Sequence, residues 1–284
     1  MRQGKGSENR FLLTPVENEV VLLMTLALVG ILGPSGIETV GVAQKNDRTS
    51  IMSKSEISIL SLAGIVGFIG MVVSIVNPDF FIASYVPEDG LVEWMTVFAL
   101  LFSSGLMAWR AWTLRARRSV VFIAVTCFAA FVLFFGAGEE ISWGQRILGV
   151  EAPEWLEENN RQKETNLHNL VIGDVNLNKL IFSKILGVGL LFYLLIFPIT
   201  YRLKPKFARW VDSMGVPLPR GLYVTLWIVT IIITEIVVGT GKRGELREFC
   251  LTFILAAQLI GPLNHWIYQG KTPTALAGTA KWWP

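Results

Sequence analysis

Apolar residues along this chain run in continuous blocks and not in strict alternation. A block of about 20 apolar residues matches a helix crossing the hydrocarbon core of a bilayer, whereas a membrane barrel shows short alternating segments. Six blocks stand out, at about 57–75, 91–112, 121–138, 180–201, 222–239 and 249–268. The pattern predicts an all-α fold, a polytopic integral membrane helix bundle with about six core transmembrane helices. No internal repeat of the inverted-repeat transporter kind is visible.

A shorter apolar stretch, VVLLMTLALVGIL at 20–32, precedes these blocks. Residues 1–51 therefore read as an N-terminal extension, and three readings of it stay open. It is a signal-like segment with a small-residue site near Gly41-Val-Ala43, an extra membrane or interfacial helix, or a stretch ahead of a natural start at Met52. Its GPSG matches the G-x-S-G of intramembrane serine proteases, but four small and turn-type residues recur by chance. Residues 52–268 form the expected bundle, with a loop at 139–179, and 269–284 form a C-terminal tail.

Charge adds an orientation. Arg110, Arg115, Arg117 and Arg118 lie between the second and third blocks, and Arg202, Lys204, Lys206, Arg209 and Arg220 between the fourth and fifth. The positive-inside rule places these loops, both core termini and the tail in the cytoplasm. The loop 139–179 then faces the periplasm or the exterior, and the expected location is the inner (cell) membrane of a bacterium. Composition agrees: 52% of the 284 residues are hydrophobic and 17% are charged, against about a quarter charged in soluble domains. A net charge of +3, distributed in this way, gives no reason to expect nucleic acid as a partner. Cys127 and Cys250 are too few for a disulfide framework and read as packing residues.

An unpaired charge at the centre of a spanning helix costs about 2.5–3.5 kcal/mol, so ionisable residues near the spans need partners. Alternating helix directions bring Glu93, Glu139, Glu140, Lys184, Glu235, Arg247 and Glu248 to one end of the bundle. Glu235, inside the apolar IIITEIVV, calls for Lys184, Arg247 or Arg146. The loop GEEISWGQR…ETNLHN is the richest in chemistry. If the third helix continues past Gly138, Glu139, Ser142 and Arg146 share one face, and Glu140, Trp143, Gly144 and Ile147 share its neighbour. APEWLEENN reads as a short amphipathic helix. Glu164 and His168 stand side by side if their segment is helical, with Asn166 and Asn169 beside them.

These residues support three kinds of chemistry. Glu139 or Glu140 as base or ligand, Arg146 as an anion clamp and His168 as a proton shuttle would form an acid–base site. Ser142, Trp143, Gln145, Glu164, Asn166, Asn169 and Glu235 would bind the substrate. Glu164-x-x-x-His168 with Glu139 or Glu140 would also supply metal ligands, but no H-E-x-x-H or paired-cysteine spacing supports it, so the cofactor stays unassigned. His265 falls near the opposite end of its helix and reads as interfacial.

GEEISWGQR followed by NNRQKETNLHN resembles a family of uncharacterised bacterial multi-pass membrane proteins carrying that paired signature. EDGLVEW before the second helix and GELREF before the sixth are similar too, so the resemblance spans about residues 55–268. It implies that Glu139 to Arg146 and Glu164 to Asn169 act as one unit, and it implies no activity. The leading expectation is an outward-facing polar site acting on a lipid-linked or polar substrate within the lipid bilayer. The alternatives are a structural or accessory subunit whose loop docks a protein partner, and a proton- or cation-coupled transporter.

Overall fold

The computed structural model describes residues 52–167, 169–172, 175–176 and 185–269. The block at 20–32 with its GPSG, the tail from 270 onward, His168 and Lys184 lie outside these residues. The described chain is mostly helical. Seven helices carry the architecture: α1 Lys54–Val76, α2 Leu91–Leu114, α3 Val120–Glu140, α4 Leu186–Leu203, α5 Pro205–Met214, α6 Gly221–Val237 and α7 Arg243–Ile260. Of these, α1, α2, α3 and α4 are long and apolar enough to cross a membrane, and α6 is a shorter apolar helix.

Helix ends follow local chemistry. Ser53 and Glu56 form a capping box at α1, with Ser53 Oγ accepting from the Glu56 amide at 3.2 Å and Glu56 Oε2 accepting from the Ser53 amide at 2.8 Å. Asn77 stops α1 and caps a short helical piece that starts at Pro78 and ends in a π-turn, Phe81–Tyr85. Pro198 lacks the amide that a continuous α4 would need, and a π-turn at Phe192–Ile196 precedes it.

The core sits around α7, which packs on α1, α2 and α6. Its residues Leu246, Phe249, Ile254, Ala257, Gln258 and Leu259 are buried. The facing stripe of α1 is small: Ala63, Gly67, Gly70 and Ser74. A Cβ on Gly67 would lie 2.7 Å from Cys250 Sγ, so the bare glycine is what lets the two helices touch. The opposite faces of α1, α2 and α3 leave Ile65, Phe68, Ile75, Phe98, Phe128 and Phe131 exposed. Such large apolar residues on the outside and small ones within suit a lipid surround. Cys127 is exposed on α3, and neither cysteine is in a disulfide.

The last predicted block, 249–268, does not form one helix. α7 begins at Arg243 and stops at Ile260; the chain then bends at Gly261-Pro262 and makes a 3-10 turn at His265–Tyr268. Pro262 disfavours a helical conformation at the residue before it, which ends the helix there. The charged GELRE segment, read as a loop, is the first part of α7. Its side chains find partners at the bundle end, so the helix does not have to begin at the first apolar residue.

Loop ends sort into two groups. Glu88, Glu93, Glu140 and Glu248 meet at one end, while Glu56, Arg110, Arg220 and His265 line a space at the other.

Candidate functional site

The site is built where α3 stops. The regular faces expected if the third helix continues past Gly138 do not form: α3 ends at Glu140 and the chain turns through three left-handed residues. Ser142, Trp143 and Gly144 have φ of 47°, 54° and 78°. The left-handed region costs a non-glycine residue about 1–2 kcal/mol, so Ser142 and Trp143 need compensation from their side chains. Both have it. Trp143 folds back on α3, where its Nε1 donates to Glu139 Oε1 at 2.8 Å and its ring meets Phe135 edge-on at 5.3 Å. Trp143 and Glu139 are thus partners, not members of separate faces.

Ser142 is buried and at the centre of a triangle. Its Oγ donates to Glu164 Oε2 at 2.8 Å and accepts from Asn166 Nδ2 at 2.9 Å, while Asn166 Nδ2 reaches Glu164 Oε2 at 2.7 Å. Asn160 Nδ2 in turn donates to Asn166 Oδ1 at 3.0 Å, and the Asn169 amide donates to the same oxygen at 3.1 Å. Glu139 Oε2 accepts from the Leu167 amide at 2.6 Å. Gln145 Oε1 accepts from the amide and hydroxyl of Thr165, at 2.6 and 2.8 Å. The two sequence words are therefore joined side chain by side chain. Neighbouring structure is modest: a helix at Glu154–Asn159 and an antiparallel pair of β1 Val171–Ile172 with β2 Val175–Asn176.

The segment around Glu164 is not helical; Lys163 has a φ of 58° and the chain through Leu167 is irregular. The helix on which a Glu164–His168 pairing would rest is therefore not formed through Leu167, and His168 itself lies outside the described residues. The irregular path turns Glu164, Asn166 and the Leu167 amide inward, a direction that helical periodicity cannot supply.

Arg146 lies among three carboxylates. Its Nε is 2.7 Å from Asp89 Oδ2, its Nη2 is 3.3 Å from Glu93 Oε1, and its Nη1 bonds Glu164. Burial works against the guanidinium charge, but Glu164, Asp89 and Glu93 outweigh it, and the Arg146 pKa lies above its ordinary value. Glu235 is held elsewhere, by Arg243 at 3.0 Å and Arg247 at 3.2 Å, and does not reach the Arg146 cluster.

Above this scaffold lies a pocket of about 150 Å³. Glu88, Glu93, Glu139, Glu140, Glu164, Glu245 and Glu248 line it, together with Arg146, Lys242, Gln162, Asn166 and Asn169. Both cations are engaged, since Lys242 Nζ is 3.2 Å from Glu88 and 3.6 Å from Glu245. Glu140, at the end of α3, and Glu248, in the opening turns of α7, are neighbours on the wall of this pocket. Two neighbouring carboxyls on one pocket wall can divide the donation and the acceptance of a proton between them. Among the described residues no group of three or more His, Cys, Asp or Glu is arranged to hold a metal ion.

Sequence reasoning missed Glu88, Asp89, Asn160, Gln162, Thr165, Lys242 and Glu245. The available signal was topological: VPEDG, and TGK with the charged first turns of α7, fall at the same end as the loop 139–179.

Gly138 is the position at which Trp143 lies closest to the helix. A Cβ there would lie 2.9 Å from the indole ring. Gly138→Ala is expected to lift Trp143 off Glu139 and to destabilise the protein by about 1–3 kcal/mol. Thermal unfolding in detergent checks this, and a wild-type melting temperature would show that the indole can shift freely.

No protein-family model, no curated protein and no solved structure matches this chain, so its functional reading rests on the residues themselves.

Proposed function

We propose that the chain is a multi-pass membrane protein with six core spans, seated in the bacterial inner membrane with its core termini in the cytoplasm. Its acidic pocket faces outward and works by carboxylate acid–base chemistry on a polar or lipid-linked substrate. Four helices of spanning length and composition support the membrane location. The concentration of arginines and lysines in the loops at the far end supports the orientation.

The observation that carries the chemical reading is the juxtaposition of Glu140 and Glu248 on the wall of the pocket. One carboxyl acts as acid and the other as base, on two helices held in register by the scaffold below. Arg146, bound to Asp89, Glu93 and Glu164, fixes that wall. Seven glutamates against two engaged cations favour a substrate group that is cationic or rich in hydroxyls over a phosphate. His168 retains its proposed role as a shuttle.

A second reading is a docking surface for a protein partner, in a structural or accessory role. Ile147, Leu148, Val150 and Trp155 are exposed beside the site, and Glu139, Ser142, Gln145 and Asn166 use their hydrogen bonds within the two joined loop segments, on Trp143, Leu167, Glu164, Thr165 and, for Ser142 and Asn166, each other. The transport alternative has no comparable support. Between the ends, the described helices carry uncharged polar residues such as Ser103, Thr126 and Gln258 and no ionisable chain of groups.

Glu140→Gln and Glu248→Gln separate the readings. Each is expected to fold with a wild-type melting temperature or a higher one, because a like-charge contact is relieved. Each is expected to lose about 10²–10⁴-fold in activity. The measurement is complementation of a deletion strain's phenotype, with membrane levels of each variant checked. Full complementation by both variants overturns acid–base chemistry and leaves docking.

A further inference from the structure

The other end of the bundle holds a larger space, about 480 Å³, within the usual range for ligand pockets. It opens between the start of α1, the end of α2, the start of α6 and the bend after α7. Leu106, Trp109, Ile260 and Pro262 give it apolar walls, and Arg110, Arg220, His265 and Gln269 give it polar ones. Glu56 is the acidic residue among the lining groups, and its charge is matched by Arg220, with Tyr223 bonded to both.

Arg110 is different. Its guanidinium stacks on the Tyr268 ring at 4.0 Å from the centroid and donates to the Ile260 carbonyl at 3.3 Å and to Met107 Sδ at 3.7 Å. Arg146, Arg220, Arg243 and Arg247 each have a carboxylate partner; Arg110 has none among the described residues. A guanidinium has five N–H donors, so Arg110 reaches the pocket with donors to spare and a charge to be balanced. The stacking holds the planar fork in place, and a fixed fork suits two-point binding of an oxyanion.

The surroundings match a membrane boundary. Trp109 and Trp112 are exposed next to Arg110, and the Arg115 guanidinium lies 3.7 Å over the Trp112 ring. α5 is amphipathic, with Trp210 exposed and Val211 buried, and carries Lys206 and Arg209. Exposed tryptophans with arginines and lysines at one level are the marks of the headgroup region.

We propose that this pocket is a second binding site, one that takes a phosphoryl group against Arg110 and His265. The apolar walls beside it accept the glycerol or the first acyl carbons of an anionic lipid, or the organic part of a soluble phosphate ester. It is independent of the acidic pocket, whose charge has the opposite sign.

The test uses the full chain in uncharged detergent micelles, with bound lipid counted by native mass spectrometry and stability followed by thermal unfolding. Phosphatidylglycerol is expected to bind and diacylglycerol, which lacks the phosphoryl group, to bind at least about tenfold more weakly, as the loss of a charge-assisted contact implies. Arg110→Gln should weaken phosphatidylglycerol by about tenfold or more, with Arg110→Lys in between because the charge remains and the fork does not. Arg117→Gln, an exposed arginine at the same end, should change it by less than about twofold. Millimolar inorganic phosphate provides the second arm: stabilisation of the wild type by phosphate, lost in Arg110→Lys, assigns the site to a soluble phosphate ester. Equal binding of the two lipids together with no phosphate effect overturns the proposal, as does wild-type binding by Arg110→Lys and Arg110→Gln alike.

Discussion

Glu164→Ala is expected to lower the stability of the protein by about 1–3 kcal/mol, the range for leaving buried hydrogen-bonding groups without an acceptor. Glu164 is only 8% exposed and holds three groups at once: Arg146, Ser142 and Asn166. Its removal strands the Ser142 hydroxyl in the interior and frees the strained turn at Ser142–Gly144. It also leaves Arg146 to Asp89 and Glu93 alone. Glu164→Gln keeps the shape and loses only the charge, so its effect should be smaller. A cycle with Ser142→Ala should be non-additive, because both changes dismantle the same triangle. Thermal unfolding followed by tryptophan fluorescence in detergent checks this. A Glu164→Ala protein that melts with the wild type would mean that the join between the two loop segments contributes nothing.

Arg220→Met should also be damaging, for a reason at the opposite end. Glu56 is 4% exposed and takes its counter-charge from Arg220. Without the arginine, a carboxylate is left among Tyr223, the bend at Gly261 and the first turn of α1, at about 3–5 kcal/mol. Adding Glu56→Gln to Arg220→Met should recover a large part of that loss, since the stranded charge disappears. If the double variant is no more stable than Arg220→Met, the damage comes from lost packing and not from charge. The Ser53–Glu56 capping box survives in Arg220→Met, so α1 should keep its helical start even as the bundle loosens.

Much of the helical layout was legible in the sequence because apolar blocks of that length have few other uses. Expected blocks at 91–112 and 121–138 correspond to Leu91–Leu114 and Val120–Glu140. Reading α7 from its apolar part alone missed its charged first turns, because that rule suits a helix facing lipid and α7 faces protein. The gathering of glutamates at one end was also legible, through the alternation of helix direction. The turn after Glu140 was not. Nothing in the preferences of Ser and Trp announces two left-handed residues; the turn exists because Glu139, Phe135 and Glu164 receive those side chains. Asp89 as a partner of Arg146 was hidden for the same reason, since a contact across 57 residues has no local signature.

The position of α7 has a consequence for biogenesis. It is the most interior helix and follows the other helices in the chain, so it emerges from the ribosome after α1 and α2. Those helices, long and apolar enough to cross a bilayer, are then made with the small-residue stripe of Ala63, Gly67 and Gly70 still uncovered. α7, with Arg243, Glu245, Arg247 and Glu248 in its opening turns, is a poor candidate for insertion on hydropathy alone. Its entry depends on the earlier helices offering a groove and carboxylate partners. The seam on α1 is therefore closed only once α7 has arrived, and a chain interrupted before Arg243 would leave it open.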